Sequence, residues 1–218
     1  MSNCLGTAYT SCIIFEGDSI TEGFGVTTAQ RYQDKLALRT LSNFNILTGA
    51  ISGTTTADLS GSGYPYLSNT TRVTKNVTFA SGASQKVMSL WIGTNDLHLT
   101  TDSAATIMGR ITTYINAFKS VGFNKIVLFT ILPLDANAAI ISTSPGRTTH
   151  EARRLQLNDL IRLQRGALIN DYVDVGAHPI LGNVANTTNT TWFSDGVHLT
   201  AAAYDFVVEL ARPVFTAL

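Results

Sequence analysis

Residues 86–132 read KVMSLWIGTNDLHLTTDSAATIMGRITTYINAFKSVGFNKIVLFTIL. The stretch opens on a short apolar run, Lys86 to Ile92, closed by Gly93. It is too short for a helix and does not alternate, which is the pattern of a strand buried on both faces. Ser103 to Val121 then carries Ile107, Ile111, Tyr114, Ile115 and Phe118 at spacings of three and four, which predicts an amphipathic helix. Asp102 or Ser103 would cap its start and Gly122 would end it. A second apolar run, Lys125 to Leu132, stops at Pro133. Two buried strands joined through a helix run parallel, because only a crossover brings the chain back in the same direction.

The same alternation extends both ways. Upstream, Cys12 to Phe15 ends at Gly17 and predicts a buried strand. Thr28 to Leu41, with Tyr32, Leu36, Leu38 and Leu41 among charges, predicts a helix, and Phe44 to Leu47, closed by Gly49, a second strand. Downstream, Thr149 to Gln164 is a charged helix with Leu155, Leu157, Leu160, Ile161 and Leu163. Ala167 to Val175 holds a fifth strand, and Thr200 to Ala217 a final helix. The expected fold class is α/β: a three-layer α/β/α sandwich with a mainly parallel sheet of about five strands, in a single domain over 1–218. Segment 54–84, rich in Ser, Thr and Gly, suits a short helix, an extra strand pair or an extended loop.

Composition narrows the function. Hydrophobic residues make up 44% and charged residues 14% of the 218, enough for a large core. Lys and Arg (15) balance Asp and Glu (15) and are scattered, which argues against a general nucleic-acid partner. No apolar run is long enough for a membrane span, and Met1-Ser2-Asn3-Cys4 lacks the basic-then-apolar pattern of a signal peptide. The compartment and the oligomeric state stay open. Cys4 and Cys12 are read first as a buried thiol at Cys12, with a disulfide between them as the alternative. The four Asn-x-Ser/Thr sites, at Asn69, Asn76, Asn186 and Asn189, are read as polar loops.

The chemistry-bearing residues cluster after strands, where open α/β sheets bind ligands. Gly17-Asp18-Ser19 follows the first strand, Gly49 to Thr54 the second, and Gly93-Thr94-Asn95-Asp96 the third. Ser194-Asp195-Gly196-Val197-His198 precedes the last helix. A serine hydroxyl is a weak nucleophile until a base takes its proton. Histidine suits that task near neutral pH, and a carboxylate three residues away can orient its ring. Ser19, His198 and Asp195 are therefore the candidate catalytic residues. Backbone N–H groups of Ser19 and Gly53, with the Asn95 amide, are candidate donors to a developing oxyanion.

These blocks, GDSIT, ISGTT, GTND and DGVH, resemble in order and separation the four blocks of the SGNH, or GDSL, hydrolase family. The resemblance spans almost the whole chain. It implies a flavodoxin-like sheet of order 2-1-3-4-5. It also implies that Ser19 is both nucleophile and oxyanion donor, that Gly53 and Asn95 complete the oxyanion hole, and that His198 is the base and Asp195 its partner. Ile-Thr after Gly-Asp-Ser, where the eponymous form has Leu, resembles the branch of acyl esterases and carbohydrate deacetylases. The implied function is hydrolysis of short-chain acyl esters through an acyl-enzyme, with O-acetyl groups on carbohydrates as a leading substrate. The alternatives are a thioesterase or lysophospholipase, and a non-catalytic carbohydrate-binding or virion-surface module on the same fold.

Other residues carry weaker readings. Asp18 and Asp96 are expected to brace loops, with a second acid as the alternative reading of Asp18. His98, Trp192 and Phe193 are candidate pocket-lining residues, with solvent exposure for His98, and packing beneath the loop for Trp192 and Phe193, as the alternatives. His150 and His178 are expected at the surface. Gly17, Gly23 and Gly25 lack the spacing of a phosphate-binding loop, so no nucleotide cofactor is expected. The histidines lack ligand spacing, so no catalytic metal is expected either.

Overall fold

A computed structural model describes residues 10–41, 43–60 and 79–218. The chain runs through β1 (Ser11–Gly17), α1 (Ser19–Glu22), a 3₁₀ turn (Thr28–Gln30), α2 (Tyr32–Arg39), β2 (Phe44–Thr48) and α3 (Thr56–Ser60). It continues through β3 (Gln85–Trp91), α4 (Thr94–Leu99), α5 (Ala104–Ser120), β4 (Lys125–Phe129), α6 (His150–Arg162), β5 (Asp171–Val173) and α7 (Ala201–Thr216). The strands form one five-stranded sheet in the order β2-β1-β3-β4-β5, and every pairing is parallel.

Strand β1 lies beside both β2 and β3, with Ile13 opposite Ile46 and Val87. Having neighbours on both sides and helices on both faces leaves Cys12, Ile13, Ile14 and Phe15 with no exposure at all. Fully burying such a side chain contributes about 1.5–3 kcal/mol. Helix α2 packs with α7, while α5 packs with both α3 and α6, which gives the layers above and below the sheet. Helix α5 shows how sequence produces this. The Ser103 hydroxyl accepts the Thr106 N–H at 3.1 Å, and Ile107, Ile111, Tyr114, Ile115 and Phe118 form the buried stripe.

The departures from expectation have physical causes. The helix expected over 28–41 is two pieces, because Arg31 is extended (φ −67°, ψ 149°). Gln30 Oε1 accepts the Thr27 N–H and closes the first piece, and Leu38 faces solvent. Strand β4 ends at Phe129 rather than Leu132 because helix α6 supplies the next hydrogen bonds. Asn158 Oδ1 accepts the Ile131 N–H at 2.6 Å, while Arg154 and Asn158 donate to the Ile131 carbonyl. The fifth strand shrinks to three residues.

In the charged helix α6, Leu155 and Leu163 just beyond its end are exposed, whereas His150, Arg153 and Arg154 are buried. Arg153 donates to the carbonyls of Leu97 and Thr100, the C-terminal end of α4, where a cation is favoured. His150, expected at the surface, has its ring nitrogens 2.7 Å from the Arg147 carbonyl and 3.2 Å from that of Leu134. The expected free thiol at Cys12 is also corrected. Cys12 is disulfide-bonded, and Cys4 lies outside the described residues, as do Asn69 and Asn76. Within 54–84, residues 56–60 form α3, and 61–78 lie outside the described residues.

Candidate active site

The sheet order makes the chain step left from β1 to β2 and then right to β3. The loops after β1 and β3 therefore diverge at a switch point, where such sheets open a crevice. Ser19 sits there as the first residue of α1. The preceding Gly17 allows a close approach: a Cβ on it would lie 2.3 Å from the Trp91 carbonyl oxygen. Helix α1 has only four residues, so its neighbours hold it. Asp18 Oδ1 accepts the Ile20 N–H at 3.0 Å, the Tyr204 hydroxyl donates to the Ile20 carbonyl, and Gln33 donates to that of Thr21.

The Ser19 hydroxyl is 2.8 Å from His198 Nε2, across 179 residues of chain. His198 Nδ1 is 2.6 Å from Asp195 Oδ2. The other carboxylate oxygen, Asp195 Oδ1, accepts the N–H groups of Val197 (3.0 Å) and His198 (2.8 Å). One aspartate thus shapes the turn and points the ring. Its carboxylate can only accept when ionised, which puts the ring proton on Nδ1 and leaves Nε2 to receive a proton from Ser19. Partial burial pushes the Asp195 pKa up, but the bonds from His198 and Val197 outweigh it and the net displacement is downward. The Phe24 ring lies 4.4 Å from the His198 ring, centroid to centroid, and Phe24 is half-exposed.

The second and third blocks meet the first. The Ile51 N–H donates to the Gly17 carbonyl, and Glu22 Oε2 accepts both the N–H (2.6 Å) and the hydroxyl of Ser52. Gly53 has φ +78°, a left-handed conformation that favours glycine, and it is exposed. Its N–H donates to no other described residue. Asn95 Nδ2 donates to the Thr54 carbonyl at 2.9 Å. The next residue, Asp96, is fully buried and caps α3 by accepting the N–H and hydroxyl of Thr56, so it braces the loop. Burial lifts the Asp96 carboxyl to about 6, against the lowering effect of the Thr56 bonds and of Arg110. Burial likewise lifts Asp18 to about 7, against the Ile20 N–H and helped by the charge of Asp96.

The three candidate pocket-lining residues go to different places. His98 is buried and touches Asn95: its Nε2 is 3.2 Å from Asn95 Oδ1, and its Nδ1 is 3.2 Å from the Ser144 hydroxyl. Phe193 is packed beneath the loop in the main core, and Trp192 is half-buried against Phe206. His178 is partly buried and accepts the N–H groups of Ile180 and Leu181. Three residues at the site were not singled out from sequence: Glu22, Phe24 and Ser144. Among the described residues, no group of three His, Cys, Asp or Glu side chains is arranged to hold a metal ion, and no helix is long and apolar enough to cross a membrane.

Known structures share this architecture. A carbohydrate acetylesterase family member from Sinorhizobium meliloti superposes with a TM-score of 0.71 at 19% identity, covering 95% of this chain and 100% of its own. Est24, described as a carbohydrate acetylesterase from the same organism, gives 0.61 at 16%, covering 95% and 97%. The structure named TesA gives 0.66 at 17%, covering 95% and 99%. No curated protein sequence matches the chain. The sequence does match the GDSL-like lipase/acylhydrolase family over residues 15–206, and with the order β2-β1-β3-β4-β5 the chain belongs to that family of carboxylic ester hydrolases.

Proposed function

We propose that the chain acts as one hydrolase domain, a serine esterase that cleaves short-chain acyl esters, with O-acetyl groups on carbohydrates as its substrate class. The continuous contact from Ser19 to His198 to Asp195, at 2.8 and 2.6 Å, carries the reading. In the first step Ser19 Oγ attacks the acyl carbon as its proton passes to His198 Nε2. The carbonyl oxygen gains the charge and is held by the N–H groups of Ser19 and Gly53 and by Asn95 Nδ2. The intermediate collapses, the ester C–O bond breaks, and the alcohol leaves with the proton from His198. A water molecule then repeats the sequence on the acyl-enzyme, giving the acid and restoring the Ser19 hydroxyl.

The exposed ring of Phe24, just after the first block and 4.4 Å from the His198 ring, offers an apolar contact next to the base, whereas the large Phe193 is drawn into the core. A flat ring such as Phe24 also suits the apolar face of a sugar. The two acetylesterases from Sinorhizobium meliloti share the fold, which is consistent with this substrate class.

Ser19→Ala should abolish turnover of p-nitrophenyl acetate, and near-wild-type turnover would overturn the assignment. A series of acyl esters, followed by acetylated xylan, tests the substrate class. Preference for chains of about ten carbons or longer counts against it, and sugar binding with no hydrolysis would favour a binding module.

A further inference from the structure

Asn95 serves the site only if its amide is the right way round. We propose that His98 is a positioning residue that locks the Asn95 amide so that one Nδ2 hydrogen is held for the oxyanion, an assignment that rests on Asn95 being an oxyanion donor. The Thr54 carbonyl can only accept, so the Asn95 atom 2.9 Å from it is Nδ2. The opposite end, Asn95 Oδ1, then needs a donor, and His98 Nε2 at 3.2 Å is the group that faces it. His98 follows Asn95 by three residues on α4, which puts the two side chains on one helix face.

The histidine is itself oriented. Burial drives its pKa down to about 4, and the neighbouring His150 and His198 push the same way, so it is neutral near pH 7 and carries one ring proton. With that proton on Nε2, facing Asn95, the Nδ1 lone pair accepts from the Ser144 hydroxyl at 3.2 Å. The competing acceptor for that hydroxyl, the Ile140 carbonyl, is farther away at 3.4 Å. Ser144 lies in the loop that also ties to the fourth block, where the Asp135 N–H donates to the Gly196 carbonyl at 2.8 Å. Ser144, His98 and Asn95 thus form one directed chain of donors that ends at Asn95 Nδ2. A flipped amide would set Oδ1 against the Thr54 carbonyl and, while the proton stays on His98 Nε2, Nδ2 against that N–H. Relieving the second contact would need the imidazole proton to move to Nδ1 and the Ser144 hydroxyl to turn from donor to acceptor.

The experiment pairs two substitutions that differ in which ring nitrogen they imitate. Gln at 98 carries its amide where Nε2 sits and can still donate to Asn95. Asn at 98 stops at the Nδ1 position, near Ser144. We expect His98→Gln to keep kcat within about threefold of wild type. We expect His98→Asn to lower kcat about tenfold with KM within about twofold, a fraction of the about 10²–10³-fold that follows loss of a whole oxyanion donor. In an Asn95→Ala background, which should itself lower kcat by about 10²–10³, the His98→Asn effect should vanish, because there is no amide left to hold.

An undiminished tenfold effect in that background, equal kcat for the Gln and Asn variants, or a loss confined to KM would overturn the positioning role while leaving Asn95 as a donor. An inert Asn95→Ala would overturn the donor role itself, and the positioning role with it. If His98→Asn does not fold, Ser144→Ala tests the same chain from its far end, with an expected loss in kcat of about threefold. No loss there refutes the proposal.

Discussion

Replacing Asp195 with Asn tests the proposed relay with little change in shape. Asp195 does two separable things. Its Oδ1 accepts the Val197 and His198 N–H groups, and its Oδ2 meets His198 Nδ1 at 2.6 Å. Asparagine keeps Oδ1 for the backbone, so the turn should persist and the melting temperature should move by no more than a few degrees. Its Nδ2, however, is a donor and faces Nδ1. The imidazole must then present a lone pair at Nδ1 and carry its proton on Nε2. That proton faces the Ser19 hydroxyl at 2.8 Å, so the ring can no longer take the serine proton. In a serine protease with the same relay, a wrong tautomer costs about 10⁴ in kcat. The Asp195 side chain is 34% exposed, so water competes for the contact and a loss of about 10²–10⁴ is expected here. The assay is kcat for p-nitrophenyl acetate at pH 7.5, with a denaturation curve on the same sample. A folded variant within tenfold of wild-type kcat would refute the tautomer argument, and with it the role given to Asp195.

Two further predictions use the carboxylates around Ser19. Burial raises Asp18 from 3.8 to about 7, so between those values the folded protein keeps a proton that the unfolded chain has lost, and this contribution to stability fades as pH rises from about 4 through 7. Asp18→Asn keeps the acceptor for the Ile20 N–H but does not ionise. In urea denaturation its stability relative to wild type should therefore be up to about 4 kcal/mol better at pH 8 than at pH 4, and an equal difference at both pH values would refute this. Glu22→Gln weakens the clamp on Ser52, next to Gly53, and should lower kcat/KM about fivefold with the melting temperature within about 2 °C, as expected for exchanging a charged for a neutral acceptor. Unchanged kcat/KM would show that the Gly53 loop holds itself.

The elements with a local cause were legible. The parallel order follows from strands separated by helices, and α5 follows from a clear apolar stripe with a cap at Ser103 and Gly122 beyond its end. Edges set by distant side chains were not. Nothing in Lys125 to Leu132 shows that Asn158 and Arg154 will claim the backbone of Ile131 and end the strand. Helix α6 misled for a related reason. Charges usually mark a solvated face, but its Arg153 and Arg154 turn inward because carbonyls of α4 and of the chain after β4 need donors there. The buried His150 has the same origin, with its ring nitrogens close to two carbonyls.

The candidate site divides along the same line. Ser19, Gly53, Asn95, Asp195 and His198 lie in short blocks whose spacing carries meaning in the chain itself, because each block is one turn after a strand or before a helix. Their supports lie elsewhere. Glu22 reaches Ser52 across 30 residues, and Ser144 reaches His98 across 46. No local pattern distinguishes these two residues from ordinary surface glutamate or loop serine. The asymmetry has a chemical basis. The reacting groups must have a particular identity, whereas a positioning contact needs only a donor or acceptor delivered to the right place, and many residues can deliver one. A site of this kind therefore shows its candidate nucleophile and base in sequence while concealing the contacts that position the residues around them. His98 was visible as a residue near the cleft, but its relation to the Asn95 amide required the positions of Thr54 and Ser144 on either side of it.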